Sequence, residues 1–185
     1  MGHPQIKAKA SSELESLEAL VELAKSGDEE ALSTLIRITQ DRLYKFCLFL
    51  AADRELASDV LQDTYIYAFE HLREIRQPDR FSHWLFTIAR HKFYDQMKST
   101  KNRQLKHRIF GMEQSHFLAP KHGLHIEVEA VFCKLSAEER MILVLIDGEG
   151  YSYKEASDII GISENATRSR LHRARLSFVE LYKKD

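Results

Sequence analysis

The chain has 185 residues, 27 Lys and Arg against 28 Asp and Glu, a formal net charge of −1 and 44% apolar residues. Seven glycines and three prolines are too few turn-formers for a fold of many short strands, and the apolar share excludes a wholly disordered chain, so an all-α fold is expected. The longest apolar stretches, Phe46 to Ala52 and Met141 to Ile146, fall far short of the ~20 residues a membrane-spanning helix needs. The N-terminus does not read as a secretory signal. Cys47 and Cys133, without a CxxC partner, fit reduced thiols in a cytoplasm.

In chain order, Ser12 and Glu15 are spaced as a capping box ahead of Leu14, Leu17, Leu20, Val21 and Ala24, and Gly27 stops that helix. Asp28 to Phe49 reads as a helix with Ala31, Leu32, Leu35, Leu43 and Phe46 inward. From about Arg54 to Ile75, Val60, Leu61, Thr64, Tyr65, Ala68, Phe69 and Leu72 recur at the spacing of a buried helical stripe. Pro78 breaks it, and a helix from about Ser82 to Ser99 follows. The stretch from about Leu105 to His125 holds Gly111, Pro120, Gly123 and four of the nine histidines, and it reads as a linker. The expected organisation is an N-terminal extension (1–16), a helical domain (17–103), a linker (104–125) and a second helical domain (126–185).

In the second domain, Ser136 with Glu139 and Ser152 with Glu155 are capping boxes that mark two helix starts, with Gly148 and Gly150 between them. Gly161 then lies between Ile160 and Ile162, and Ser163 begins a helix carrying Arg168, Arg170, Arg173 and Arg175. Helix, glycine turn, basic helix is the layout of a helix-turn-helix, whose second helix enters the DNA major groove.

The near-zero charge conceals a strong segregation. Residues 1–89 carry a net −5, residues 90–108 a net +6, residues 109–161 a net −5 and residues 162–185 a net +3. A charge run is most often a solvated face. Two short basic runs, each on a predicted helix in an otherwise acidic chain, point instead to a polyanion held at two places.

Three motifs carry candidate chemistry. On a helix from Ser163, Leu171 faces the core while Asn165, Arg168, Ser169, His172 and Arg173 share the open face. Arginine there can bond guanine twice, and Ser or Asn can bond base edges or phosphate. On the helix holding Asp59 to Phe69, Asp59, Gln62, Asp63, Ile66 and Glu70 form an acidic outer face around an exposed isoleucine. Paired carboxylates can serve acid–base chemistry, but no histidine stands beside them at ligand spacing, and docking onto a protein helix explains the face better. From Arg80 to Arg103, Trp84, Leu85, Ile88, Ala89, Phe93 and Met97 form a core stripe beside a basic track of Arg90, Lys92, Lys98, Lys101 and Arg103. Aromatic residues beside cations can stack on unpaired bases. Trp84 reads as core, and Phe81, expected in the loop before the helix, as the residue more open to stacking.

Taken in order, GDEEA, SDVLQDTY, RFSHWLFTIARHKFYDQMKS, LSAEERMILVL and a helix-turn-helix ending RSRLHRAR resemble the extracytoplasmic-function class of bacterial RNA polymerase sigma factors. The resemblance covers about residues 17–103 and 126–182. It implies a cytoplasmic, non-catalytic specificity subunit with no cofactor, whose partners are core RNA polymerase, promoter DNA and a cognate anti-sigma factor. It further implies that Asp59, Leu61, Gln62, Asp63 and Ile66 dock on the clamp coiled coil of the polymerase's largest subunit. Gln77, Asp79, Phe81 and Ser82 would form the pocket for an extruded base of the minus-10 element, with Arg90, Lys98 and Lys101 along the strand. Asn165, Arg168, Ser169, His172, Arg173 and Arg175 would meet the minus-35 element.

The chain departs from the family pattern at Ala166-Thr167, where Thr-Val is usual and a phosphate-touching hydroxyl is displaced by one residue, and at His83 and His91, where Pro and Asn are common. Two other classes fit parts of the sequence. A helix-turn-helix regulator would use the N-terminal half for sensing or dimerisation. A metal-dependent helical enzyme would use the linker histidines, but Glu113 with His116 is a single ExxH, and a carboxylate-bridged site on a bundle needs two such pairs and two more Glu. No P-loop, nucleophile elbow or CxxC is present, so no catalytic or metal-binding residue is assigned.

Overall fold

The computed structural model describes residues 17–110 and 126–183, and all regular structure among them is helical. Helix α1 covers residues 17–25 and ends at Gly27, whose φ of +96° is a left-handed conformation that glycine adopts without steric cost. Helix α2 (Glu29–Ala51) begins where the Asp28 carboxylate accepts from the Ala31 N–H at 2.8 Å, and α3 (Arg54–Glu70) where Asp53 accepts from Leu56 at 2.7 Å. Each cap satisfies an amide that a helix start leaves without a partner. Between them, Ala52 takes a φ of +54° with its methyl buried, a left-handed turn that costs an alanine ~1 kcal/mol.

The stripe read as helix to Ile75 leaves regular α geometry at Glu70 and finishes in the 3-10 turn Leu72–Glu74, with Leu72 and Ile75 still buried. A second 3-10 turn, Pro78–Arg80, leads into α4 (Phe81–Phe110). This helix starts one residue before the expected Ser82 and continues past Ser99 into the segment read as a linker. Residues 1–16 and 111–125, with the Ser12–Glu15 box, Glu113 and the histidines 116, 122 and 125, lie outside the described residues.

The second half comprises α5 (Ile126–Lys134), α6 (Ala137–Leu143), a π-helical turn (Val144–Gly148), α7 (Tyr153–Ile160) and α8 (Glu164–Tyr182). Both capping boxes form. Glu139 Oε2 accepts from the Ser136 N–H and Glu155 Oε2 from the Ser152 N–H, each at 2.9 Å. Gly161 closes α7 at φ +75°.

Leu35, Phe46, Val60, Phe81, Leu85 and Phe93 fill the space among α2, α3 and α4, while Ile142, Leu145, Ile159 and Leu171 fill the space among α6, α7 and α8. Removing each such side chain from water contributes ~1.5–3 kcal/mol. The two sets belong to one continuous core. Phe49 meets Phe132 with ring centroids 5.1 Å apart, and Tyr151 lies edge-on to Phe86 at 5.6 Å, so α2 and α4 are packed directly against the second half.

Candidate functional site

Helix α8 is anchored on one side by Thr167, Leu171 and Ala174, all buried. That anchoring leaves Asn165, Arg168, Ser169, His172 and Arg173 exposed together, as their spacing predicts. Arg168 is steadied by a 2.6 Å bond from Nη2 to Glu164 and by the Tyr153 ring, whose centroid lies 4.8 Å from its guanidinium carbon. The Thr167 hydroxyl donates to the Ser163 carbonyl at 3.1 Å from a fully buried position, so the displaced hydroxyl does not face outward. Arg175 is exposed as well but faces an acidic partner. Its Nε and Nη2 donate to the two carboxylate oxygens of Asp147 at 3.1 and 2.5 Å, so its guanidinium turns back onto the π-helical turn. An acidic partner so far away in sequence leaves no local signal.

On α3, Val60 and Thr64 are buried, and Asp59, Gln62 and Ile66 stand out from the opposite side. Ile66 is 50% exposed, a large apolar side chain amid polar neighbours. Leu61 is half-buried at the edge of the face. Asp63 is also half-buried, because Gln96 of α4 donates its amide to the carboxylate at 2.9 Å. Gln96 had no sequence signal. It braces the acidic face against the basic helix.

The turn before α4 exposes Gln77 and Asp79, while Ser82 sits half-buried near Ile38 and Arg42. Phe81 corrects the sequence reading. It is the first residue of α4 and fully buried, and it cannot stack on a base without leaving the core. Trp84, read as core, is half-buried, with its ring centroid 6.1 Å from that of Phe81. The cause is helix phase: once the Pro78–Arg80 turn starts the helix at 81, Phe81 joins Leu85, Ile88 and Ala89 on the inward stripe. That periodicity was available in the sequence, but the helix start was not.

Along α4, Lys98 is exposed beside Asp95, with N and O 3.9 Å apart. Lys101 lies where only the course of the helix is described. Arg90 is half-buried, 5.6 Å over the Tyr94 ring, and the Gly161 turn lies across it, so that a Cβ at 161 would stand 3.6 Å from Nη2. Lys92 sits 4.5 Å over the Tyr67 ring. Burial, reinforced by the charge of Arg90, pushes the His91 pKa down.

An exposed basic recognition helix, an acidic face with an apolar centre and a basic track thus coexist on one chain. Residues 35–103 match the family described as Sigma-70 region 2, and residues 125–177 the family described as Sigma-70, region 4. The ECF RNA polymerase sigma factor SigL of Mycobacterium tuberculosis is 30% identical over 174 residues, a span covering 84% of this chain and 96% of SigL. The chain belongs to the extracytoplasmic-function RNA polymerase sigma factors. SigM of Bacillus subtilis is 29% identical over 155 residues, covering 82% of this sigma factor and 94% of SigM. The fold resembles that of the sigma factor RpoE of Bartonella quintana, solved in complex with the anti-sigma factor NepR, with a TM-score of 0.70 and 28% identity over 83% of this chain and 97% of that one.

As a sigma factor, the chain directs core RNA polymerase to promoters and takes part in initiation there. The region 2 match over residues 35–103 replaces the sensory or dimerisation domain of the regulator alternative. Sigma factors as a family are not enzymes. No helix among the described residues is long and apolar enough to cross a membrane.

Proposed function

We propose that the two promoter contacts and the polymerase contact divide among the three faces. Helix α8 enters the major groove of the minus-35 element, with Asn165, Arg168, Ser169, His172 and Arg173 facing base edges and phosphates. The observation that carries this is their joint exposure on a helix anchored from behind by Leu171 and Ala174. Asp59, Leu61, Gln62, Asp63 and Ile66 on α3 dock on the clamp coiled coil, an apolar centre with a charged rim. Gln77, Asp79 and Ser82 hold the extruded minus-10 base, with Arg90, Lys98 and Lys101 along the strand. Capture of that base offsets an unstacking cost of a few kcal/mol.

Residues 17–103 and 126–185 act as two domains joined by 104–125. In the closed arrangement Arg90 lies beneath the Gly161 turn, so engaging a strand with Arg90 requires the halves to part. A cognate anti-sigma factor restrains the free protein by clamping or separating the two halves; RpoE of Bartonella quintana was solved with such a partner, NepR. The chain works in the cytoplasm and catalyses no reaction of its own. The test is reconstitution with core polymerase on a genomic promoter pool. Initiation at sites sharing two elements at fixed spacing supports the assignment, and failure to bind core or to initiate anywhere in the pool overturns it.

A further inference from the structure

A cleft of about 650 Å³ separates α4 from the α7–α8 turn. On one wall stand Arg90, Lys92 and Lys98; on the other stands Arg170, whose Nη1 bonds Glu138 at 3.0 Å. Four basic side chains face two carboxylates, Glu138 and Asp95. Arg90 is the anomaly. Its Nε is buried without an acceptor, and the guanidinium forms no ion pair with any described residue. A ring face at 5.6 Å is its compensation. Burying a cation so poorly paired is costly, and an anion entering the cleft would relieve that cost.

We propose that this cleft binds a nucleoside polyphosphate, with the phosphates between Arg90 and Arg170 and the base against the apolar part of the wall. Guanidinium groups suit phosphate oxygens because their fixed fork can donate two parallel hydrogen bonds. Lys98, 77% exposed at the side chain, can swing toward a terminal phosphate. The volume is that of a small-molecule site and exceeds what inorganic phosphate fills. Half-buried Ile162 and the Tyr94 ring supply apolar surface for the base. Because both halves of the chain contribute walls, such a ligand holds them together and withholds Arg90 from other anions.

The cleft shares Arg90 and Lys98 with the proposed minus-10 track, so its test uses the free full-length chain, away from promoter and polymerase. GTP, ATP, inorganic triphosphate and a short single-stranded DNA are titrated by calorimetry at constant ionic strength. Saturable binding of one nucleotide per chain is expected, weakened about tenfold or more by Arg90→Gln or Lys98→Gln and unchanged by Lys154→Gln on the exposed side of α7. Lys98 makes a single long ion pair, so that variant reports on the site without disturbing the fold. Far-ultraviolet circular dichroism checks that the Arg90 variant keeps its helical content. Equal weakening by Lys154→Gln, no saturable binding of either nucleotide, or binding of single-stranded DNA alone overturns the proposal. Triphosphate binding as tightly as GTP overturns the base contact and leaves a phosphate site, the two sources of phosphate being separated by the same titration.

Discussion

Arg140 of α6 donates from Nη2 to the carbonyl oxygen of Leu50, 90 residues earlier, at 2.9 Å. Its other terminal nitrogen donates to the Leu135 carbonyl. Leu50 lies in the last turn of α2, where carbonyls lack intrahelical partners and where α2 has no basic residue of its own. A cation from the second half thus caps a helix of the first, at 8% exposure. Burial holds its pKa below the usual arginine value, yet it remains protonated near neutrality.

Arg140→Met removes that cap while keeping the apolar stem. Two buried carbonyls lose a donor, and the expected loss of stability is ~2 kcal/mol in denaturant unfolding of the full chain. Small-angle X-ray scattering should show a larger radius of gyration with unchanged helicity. An unaltered radius would mean that the aromatic contacts alone hold the halves together.

The α3 face separates docking from folding. Ile66 is half-exposed and supports no core contact, so Ile66→Asp should change stability by no more than ~0.5 kcal/mol while weakening core polymerase binding by ~2 kcal/mol or more. Asp63→Lys should also weaken binding, with an added stability loss from the broken Gln96 bond. Undiminished affinity for core in both variants would remove the face from the polymerase contact.

Arg173 and Arg175 stand two residues apart on α8 and should behave differently. Arg173 is exposed, and Arg173→Ala should cost ~1–3 kcal/mol of promoter affinity and relax selection at one base pair. Arg175 is bound to Asp147, so Arg175→Ala should leave base selection intact and lower stability by less than ~1 kcal/mol, as suits an exposed pair. Binding measurements across a set of mutated minus-35 sequences distinguish the two.

The Ser152–Glu155 box makes part of the stability depend on acid. Bonds from the Ser152 hydroxyl, then from its backbone N–H, hold the Glu155 carboxyl below its usual value of 4.5. A carboxylate whose folded pKa is depressed stabilises fully above the unfolded pKa and loses that contribution as pH falls through the folded one. Stability should therefore drop between about pH 5 and 3, and Glu155→Gln should flatten that part of the profile. Ser152→Ala should cost ~1 kcal/mol at neutral pH. Urea titrations at several pH values measure both.

Cys47 is fully buried in α2, and burial pushes its thiol up to about 12. Its thiolate is absent near neutrality, so alkylation at pH 8 should wait on unfolding. Mass-spectrometric footprinting that found Cys47 modified at the rate of a model thiol would contradict the packing described.

Much of the chain was legible because its local rules agree. The capping boxes at Ser136 and Ser152, the stop at Gly161 and the split of α8 into a buried Leu171 side and an exposed Arg168–Arg173 side are consequences of helical period and cap chemistry, which act over three or four residues. The charge segregation behind the net −1 was likewise written in order along the chain. Phe81 was misplaced because a 3-10 turn, whose start carries no strong signal beyond Pro78, set the phase of α4. Arg175, Gln96, Arg90 and Arg140 each take their environment from residues far away in sequence: Asp147, Asp63, the Gly161 turn and Leu50. Local spacing decided which side chains each helix turns outward. Only the tertiary structure decided which of those outward charges were already spent on a partner, because hydrogen bonds and ion pairs act through space and leave no period in the sequence.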